Sequence, residues 1–417
     1  MRGYGGAELG ARPLIDEVTL SADRCIKCNV CNTACPVAPV TDLFPGPKYC
    51  GPQAQRFRAG HPVEEWVDYC SGCGACTRAC PSGVRVAELN SRARAAVYAR
   101  KGLPLRSRLI SRSELLGRVG SRAAPLANLA LEFRPARVLA ERTVGIHRDA
   151  ALPRFSQGSF RGRFRGLPQT AAPWRRVAYF HGCSTNYYEP WVGEATVRVL
   201  AAAGIGVELP PQRCCGLPFM SNGDFSTARR LAEANLRSLL PAVRSGLKIV
   251  GTSTSCTLTF KHEYRDVLGL HGPEWDELAA ATYDVFELLR ELTWEGTLNL
   301  SPGPLPRRVL YHGPCQLRSH GIGQPASELL AGLEAISLAE SGVECCGIAG
   351  TYGLKREKYQ IARDVGAPLA ARARQHDAEL IACDSETCRW QAHQLTGLPA
   401  RHPIELLDEA LGGGRSA

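Results

Sequence analysis

The chain repeats itself. "HGC" ends at Cys183, "CCG" supplies Cys214, Cys215 and Gly216, and "SCT" supplies Cys256; later, "HGPC" ends at Cys315, a second "CCG" supplies Cys345, Cys346 and Gly347, and "TCR" supplies Cys388. The four thiols recur at offsets of 132, 131, 131 and 132 residues, so one domain is present twice. Each copy reads β-α-β-α-β. In the first, "RRVAYF" is a strand leading to Cys183, "EATVRVLAAAG" a helix, "VELPP" a strand leading to Cys214 and Cys215, "TARRLAEANLRSLLPAV" a helix, and "LKIVGTS" a strand before Cys256. In the second, "RRVLYH", "VE" and "AELIAC" are the strands before Cys315, Cys345 and Cys388. Ligands of open parallel sheets bind beyond the carboxyl ends of strands, so thiols placed there point to a cofactor site. A single cysteine is often just a small buried hydrophobe. Two copies in register are not explained that way.

A different sulfur pattern precedes the repeats. "CIKCNVCNTACP" at residues 25–36 and "CSGCGACTRACP" at 70–81 both carry the spacing C-x2-C-x2-C-x3-C-P. In the bacterial ferredoxin run, three close thiolates hold one [4Fe-4S] cube and the fourth serves the other cube. Two copies give a crossed pair: Cys25, Cys28, Cys31 and Cys80 for one cluster, and Cys70, Cys73, Cys76 and Cys35 for the second. C-x2-C is also a zinc spacing, but zinc needs four ligands per site and does not call for a crossed octet. The 33 residues between the runs are too many for a compact hairpin-built ferredoxin and favour a mostly helical domain.

Composition decides how to read this sulfur. The chain has 18 cysteines in 417 residues, no basic stretch followed by an apolar one at its start, and no run of about 18 apolar residues. It is expected to stay unexported, with reduced thiols available for metal or redox chemistry. With 44% hydrophobic and 22% charged residues, it is long enough for two or three packed domains.

Charge is concentrated in one place. Residues 91–170 carry seventeen Arg or Lys against four carboxylates, whereas the whole chain nets only +10. There Leu105, Leu109, Ile110, Leu115, Leu116 and Val119, then Leu126, Leu129, Leu131, Phe133 and Val138, recur at helical intervals among the arginines. Such a helix pair could lie on an anionic membrane surface. Equally, it could be a linker that packs its apolar face on the protein and leaves its arginines in water. Nucleic acid is not expected as a partner, because aromatic residues are sparse here and no reader motif appears.

The double ferredoxin run followed by paired C...CCG...C domains resembles the cysteine-rich electron-transfer family that includes the cysteine-rich polypeptide of heterodisulfide reductase and the iron-sulfur subunits of glycolate and lactate oxidation. The stretches "RCIKCNVCNTACPVAPV", "FPGPKYCGP", "GIHRDAALPRFSQGSFRG", "GTSTSCT" and "DSETCRWQ" are most similar to the branch that serves anaerobic glycerol 3-phosphate oxidation. The likeness runs from about residue 20 to the C-terminus. It implies an α plus α/β architecture: a tail (1–22), a helical ferredoxin-type domain with two [4Fe-4S] clusters (23–100), a basic amphipathic linker (101–172), and two cysteine-rich repeats (173–300 and 301–417). It further implies a flavin-containing dehydrogenase partner as electron donor, menaquinone as acceptor, and peripheral contact with the cytoplasmic face of the cell membrane. No G-x-G-x-x-G follows a strand, so the flavin and the catalytic residues are expected on the partner.

The chain departs from the family at one point. Each repeat of the family ends in C-x2-C, but the earlier position is Ser253 here in the first copy and Ser385 in the second, with Cys383 two residues from the second. Four thiols per repeat remain, enough for one [4Fe-4S]-type cluster, expected in at least one copy and favoured in the second because Cys383 could compensate. The histidines ahead of each repeat's first cysteine, His181 and His312, could tune a cluster or move protons, or serve only as structural hydrogen-bonding groups. Cys50 belongs to no pattern and reads as a buried thiol outside the ligand sets. Alternative readings are the iron-sulfur polypeptide of a glycolate or lactate oxidase, a disulfide reductase acting at the cysteine-rich sites, and a membrane scaffold whose repeats have lost their metal.

Overall fold

A computed structural model of the chain describes residues 16–55 and 65–413, so most of the expected tail, 1–22, lies outside the described residues. The first domain is helical, as expected. Short turns Val30–Thr33 and Ala75–Arg78 carry the two cysteine runs, and the helix Val86–Lys101 backs both. Val86, Leu89, Asn90, Ala93, Arg94 and Val97 are its buried residues, at the three- and four-residue intervals of one helix face. Val86 and Leu89 share a core with Cys31 and Cys76, whereas Ala93 and Val97 share one with Cys35, Cys50, Cys70 and Cys73.

The repeats form two parallel sheets of four strands each. The first contains β1 (Arg175–Phe180), β2 (Ile205–Glu208), β3 (Lys248–Gly251) and β4 (Thr282–Asp284) in the order β2-β1-β3-β4. The second contains β5 (Arg308–Tyr311), β6 (Ser337–Glu340), β7 (Leu380–Ala382) and β8 (Ala400–Arg401) in the order β6-β5-β7-β8. Corresponding registers agree: Tyr179 pairs with Val250 and Tyr311 with Ala382.

Two expectations are corrected. Each sheet has a fourth strand that the three-strand reading omits, β4 and β8, of three and two residues. Such pieces are too short to show a period of two. The second strand of repeat two is also Ser337–Glu340, not the "VE" at 343–344. Ser341 donates its N–H to Tyr311 O at 2.8 Å, which closes the ladder, and Val343 and Glu344 lie in the loop that turns toward Cys345.

One hydrophobic core serves both repeats. Val177, Tyr179 and Val250 of the first sheet lie in the same cluster as Val309, Tyr311 and Leu380 of the second, together with Phe160. The helix Pro190–Ala202 packs on Pro403–Ala410, and Arg198 bonds the Asp408 carboxylate through Nε at 3.0 Å and Nη2 at 2.6 Å.

Between the first domain and the repeats run four helices, Leu105–Ile110, Ser113–Arg122, Ala124–Glu132 and Arg134–Thr143. Their packing covers only part of the apolar face: Ile110 is buried and Leu131 and Val138 are half-buried. The buried side of Ser113–Arg122 is made of Gly117, Gly120 and Ser121, with Gly117 against Tyr187 and Gly120 against Phe155. Leu126, Leu129, Phe133 and Leu139 are 72%, 64%, 57% and 63% exposed, and Leu105, Leu115, Leu116 and Val119 are exposed as well. Some arginines turn inward instead: Arg106 pairs with Glu357, and Arg137 donates to the carbonyls of Leu131, Arg148 and Ala150. Among the described residues no helix is long and apolar enough to cross a membrane.

Candidate metal centres

In both cysteine runs the chain turns left-handed at the same two places, Lys27 and Asn29 in the first, Gly72 and Gly74 in the second. These turns bend each C-x2-C-x2-C stretch so that its thiols converge. Cys31 has Cys25 and Cys80 as thiol neighbours, and Cys76 has Cys70, Cys73 and Cys35. The structure thus places Cys80 beside the first run and Cys35 beside the second; Cys28 is exposed. Backbone amides point at sulfur, Ala38 N–H to Cys35 Sγ at 3.5 Å and Val84 N–H to Cys80 Sγ at 3.3 Å. Burial, with added repulsion from neighbouring thiols, pushes Cys35 up to about 11 and raises Cys31, Cys73 and Cys76. Buried thiols of this kind become thiolates only in company with a cation, so the donor set fits an iron cluster.

Each repeat assembles its four thiols beyond the strand ends. In the first, Cys183, Cys214, Cys215 and Cys256 form a contiguous chain, with Cys215 Sγ 3.3 Å from Cys256 Sγ. In the second, Cys315, Cys345, Cys346 and Cys388 do the same, with Cys346 Sγ 3.0 Å from Cys388 Sγ. The glycine of each CCG explains itself. Gly216 and Gly347 have φ of +91° and +90°, which lets their N–H groups bond back to Cys214 Sγ at 3.5 Å and Cys345 Sγ at 3.3 Å. A methyl group on Gly347 would overlap the carbonyl oxygen of Ala362.

The serines at the departing positions are buried and differ in use. Ser253 Oγ donates to Glu386 Oε2 at 3.0 Å, so a carboxyl of the second repeat stands at the first repeat's site. Cys383, fully buried, lies beside Cys388, with its own carbonyl accepting from Arg389 Nη1 at 2.7 Å. The histidines also differ. His181 Nδ1 meets Gly182 O at 2.7 Å and its ring packs on Phe160 and Tyr179, whereas the ligand atoms of His312, Cys346 and Cys388 lie within 4.8 Å of one another.

The first domain is docked against the second repeat. Cys35, Cys70, Cys73, Cys315 and Cys345 occupy one core, and Cys73 and Cys35 both count Cys345 among their neighbouring thiols. Arg78 Nη1 donates to Cys73 O, Cys315 O and Ser319 Oγ; Arg94, buried, donates to Cys70 O, Val67 O and Ser221 O; Lys358, wholly buried, donates to Asp68 O at 2.6 Å. The sequence reading missed these three. Their only signal was positive charge, which does not tell a buried donor from a solvated one. A cavity of about 540 Å³ opens between the sites, lined by Cys70, Cys73, Cys183, Cys215, Cys256 and Cys315 among others. Glu263 stands in its wall, pushed up to about 7 by burial, with Thr259 Oγ1 donating to it at 2.8 Å.

Comparison with known proteins matches the 4Fe-4S dicluster domain family to residues 21–84 and the cysteine-rich domain family to 177–261 and 309–392. Over 94% of this chain and 99% of the relative, the sequence is 38% identical to one of the subunits of the anaerobic glycerol-3-phosphate dehydrogenase of Escherichia coli K12. It is 26% identical to the glycolate oxidase iron-sulfur subunit of the same organism, over 93% of each chain. It is also 26% identical to one of the subunits of the fumarate reductase (CoM/CoB) of Methanothermobacter marburgensis, over 93% of this chain and 72% of that one.

Proposed function

The chain belongs to the iron-sulfur family of this anaerobic glycerol-3-phosphate dehydrogenase polypeptide, and from that premise we propose that it carries electrons from a flavin-containing partner that oxidises glycerol 3-phosphate to menaquinone at the cytoplasmic face of the membrane. In this reading Cys25, Cys28, Cys31 and Cys80 hold one [4Fe-4S] cluster, Cys70, Cys73, Cys76 and Cys35 hold a second, and Cys315, Cys345, Cys346 and Cys388 hold a further cluster. Bound iron-sulfur clusters supply one-electron redox chemistry. The chain's own residues keep the thiol sets adjacent, exclude water from them, and aim amide N–H groups at the sulfurs, which sets how readily each accepts an electron.

One observation carries the reading: the sulfur is continuous. Cys35 and Cys73 adjoin Cys345 across the domain boundary, so electrons entering the first domain have a short way into the second repeat. The exposed leucines and arginines of residues 105–143 supply a surface that suits the edge of a bilayer, where a lipid-soluble acceptor resides. A second reading, the iron-sulfur polypeptide of a glycolate oxidase, is favoured by the 26% identity over nearly the whole chain. The deciding experiment is anaerobic purification with the co-purifying flavoprotein, an iron count, and assay of a menaquinone analogue with each donor. Reduction driven by glycerol 3-phosphate supports the proposal; reduction by glycolate alone replaces it with the second reading; an iron-free, zinc-loaded chain sinks both.

A further inference from the structure

The two repeats are alike in fold but not in the histidine that precedes their first cysteine. His312 follows β5 directly and is fully buried. Its Nδ1 lies 3.1 Å from Ser341 Oγ, which also accepts Val343 N–H at 3.3 Å. That hydroxyl has a second lone pair for Nδ1–H. In the Nδ1–H tautomer the Nε2 lone pair is bare, and Nε2 has no oxygen or nitrogen partner. A bare buried nitrogen is costly unless something occupies its lone pair. What faces the ring is sulfur: one ring nitrogen forms a tight group with Cys346 Sγ and Cys388 Sγ, and Nδ1 is already taken by Ser341 Oγ, which leaves Nε2. His181 Nε2 is also unpartnered, but its ring stands edge-on to Phe160 and Tyr179, and no metal-binding group forms around it among the described residues.

We infer that His312 Nε2 is a ligand to iron in the second repeat, giving that centre mixed nitrogen and sulfur coordination. This rests on the reading that the second repeat holds a cluster. Three arguments support it. A metal-bound imidazole normally donates its other N–H to a fixed acceptor, and Ser341 Oγ, 3.1 Å from Nδ1, is placed to be that acceptor. The position at which the family has a further thiol is Ser385, whose hydroxyl is a poor donor to a thiophilic iron, so the site has room for another ligand. Finally, His312 with Cys315, Cys345, Cys346 and Cys388 makes five donors, one more than a tetrahedral zinc ion uses. Cys383, which the sequence reading favoured as the replacement, touches Cys388 but is not in the tight group. His312 takes the role instead.

The experiment uses the full chain prepared anaerobically with histidine labelled by nitrogen-15. In the reduced protein, pulsed EPR should show a nitrogen coupling that changes with the label, and His312→Ala should abolish it and lose iron from that centre alone. His312→Cys guards against misfolding: it should keep the iron and lose the histidine coupling. Cys383→Ala should keep both. Unchanged iron and coupling in His312→Ala overturns the inference, as does loss of the coupling in Cys383→Ala but not in His312→Ala. Stoichiometric zinc in place of the iron overturns it too. Cys388→Ser separates the two levels. If it loses no iron, there is no centre in the second repeat and the underlying reading falls as well; if it loses iron while the wild type shows no labelled coupling, only the histidine ligand is wrong.

Discussion

A single nitrogen joins two cysteine sites: Arg78 Nη1 donates to the carbonyl of Cys73 at 3.1 Å and to that of Cys315 at 3.3 Å. Both acceptors belong to residues whose side chains lie in the sulfur sets, one in the first domain and one in the second repeat. Arg78 Nη2 also pairs with Glu344, next to Cys345. The guanidinium therefore fixes the gap between the sets, and distance is the quantity on which electron transfer depends most.

Replacing Arg78 with Ala should leave iron content unchanged and slow the passage of electrons between the first domain and the second repeat. Two carbonyls lose their donor, a cost of about 1–3 kcal/mol for each that stays buried. Stopped-flow reduction, followed separately at each centre, reads the first effect, and denaturant unfolding under argon reads the second.

Cys80→Ser should damage the cluster grouped with Cys25 and Cys31 and spare the one grouped with Cys76, because Cys80 neighbours the former. EPR of the reduced variant, with iron counted, checks this. Equal loss of both clusters would refute the crossed arrangement.

Gly347→Ala should be far more harmful than Gly216→Ala. Both force alanine into the left-handed region, at about 1–2 kcal/mol. Only at position 347 does the new methyl also overlap a carbonyl, that of Ala362, which adds roughly 1–3 kcal/mol of overpacking. At position 216 the nearest atoms, of Ala228, are 3.3 Å away and need yield only slightly. Thermal unfolding of the two variants measures the difference.

Binding to anionic vesicles should fall when Arg108, Arg112, Arg118 and Arg122 are changed to Gln, each contributing about 1 kcal/mol at an anionic surface. All four are exposed, unlike Arg106, which is engaged by Glu357 and Gly145 O. Salt should release the wild type as the Debye length shrinks from about 30 Å at 0.01 M to about 8 Å at 0.15 M. Changing Leu126, Leu129 and Phe133 to Ser should remove whatever binding resists salt. Sedimentation with vesicles decides; unaltered binding in both variants would leave the surface without this role.

Glu263 gives the fold a pH dependence of known sign. Its carboxyl ionises at about 7 in the folded chain against an ordinary 4.5, so the unfolded chain loses its proton first. Stability therefore declines as pH rises from about 4.5 to about 7, with no further loss from this group above that. Glu263→Gln should remove this decline: its advantage in urea midpoint over the wild type grows across that window and levels off beyond it.

Much of this architecture is legible in the sequence because covalent spacing leaves few choices. Three cysteines within seven residues converge wherever Lys27 and Asn29, or Gly72 and Gly74, turn left-handed, and equal offsets between repeats demand equal folds. What escaped notice depends on contacts between distant parts. β8 is two residues long and exists only because β7 lies beside it. Arg94 and Lys358 look like solvated charges until Cys70 O and Asp68 O are brought to them. The inward face of Ser113–Arg122 is made of glycine and serine, which carry no hydrophobic signal, so the leucines next to them were free to be read either way. His181 stands two residues before Cys183 and His312 three before Cys315, a difference that says nothing of their roles, which only the rings' surroundings distinguish.

The common core of the two repeats has a consequence for synthesis. It draws on residues from Phe160 to Ala410, so it cannot close on the ribosome until the final helix, Pro403–Ala410, has emerged. Until then the first repeat has an uncovered apolar face, although Cys215 and Cys256 already have the company of Phe180, Met220 and Leu239 from their own repeat. The nascent chain must therefore pass through an aggregation-prone interval lasting almost the whole of translation of the second repeat. A chain ending before Pro403 ought to remain in that state, exposing apolar surface.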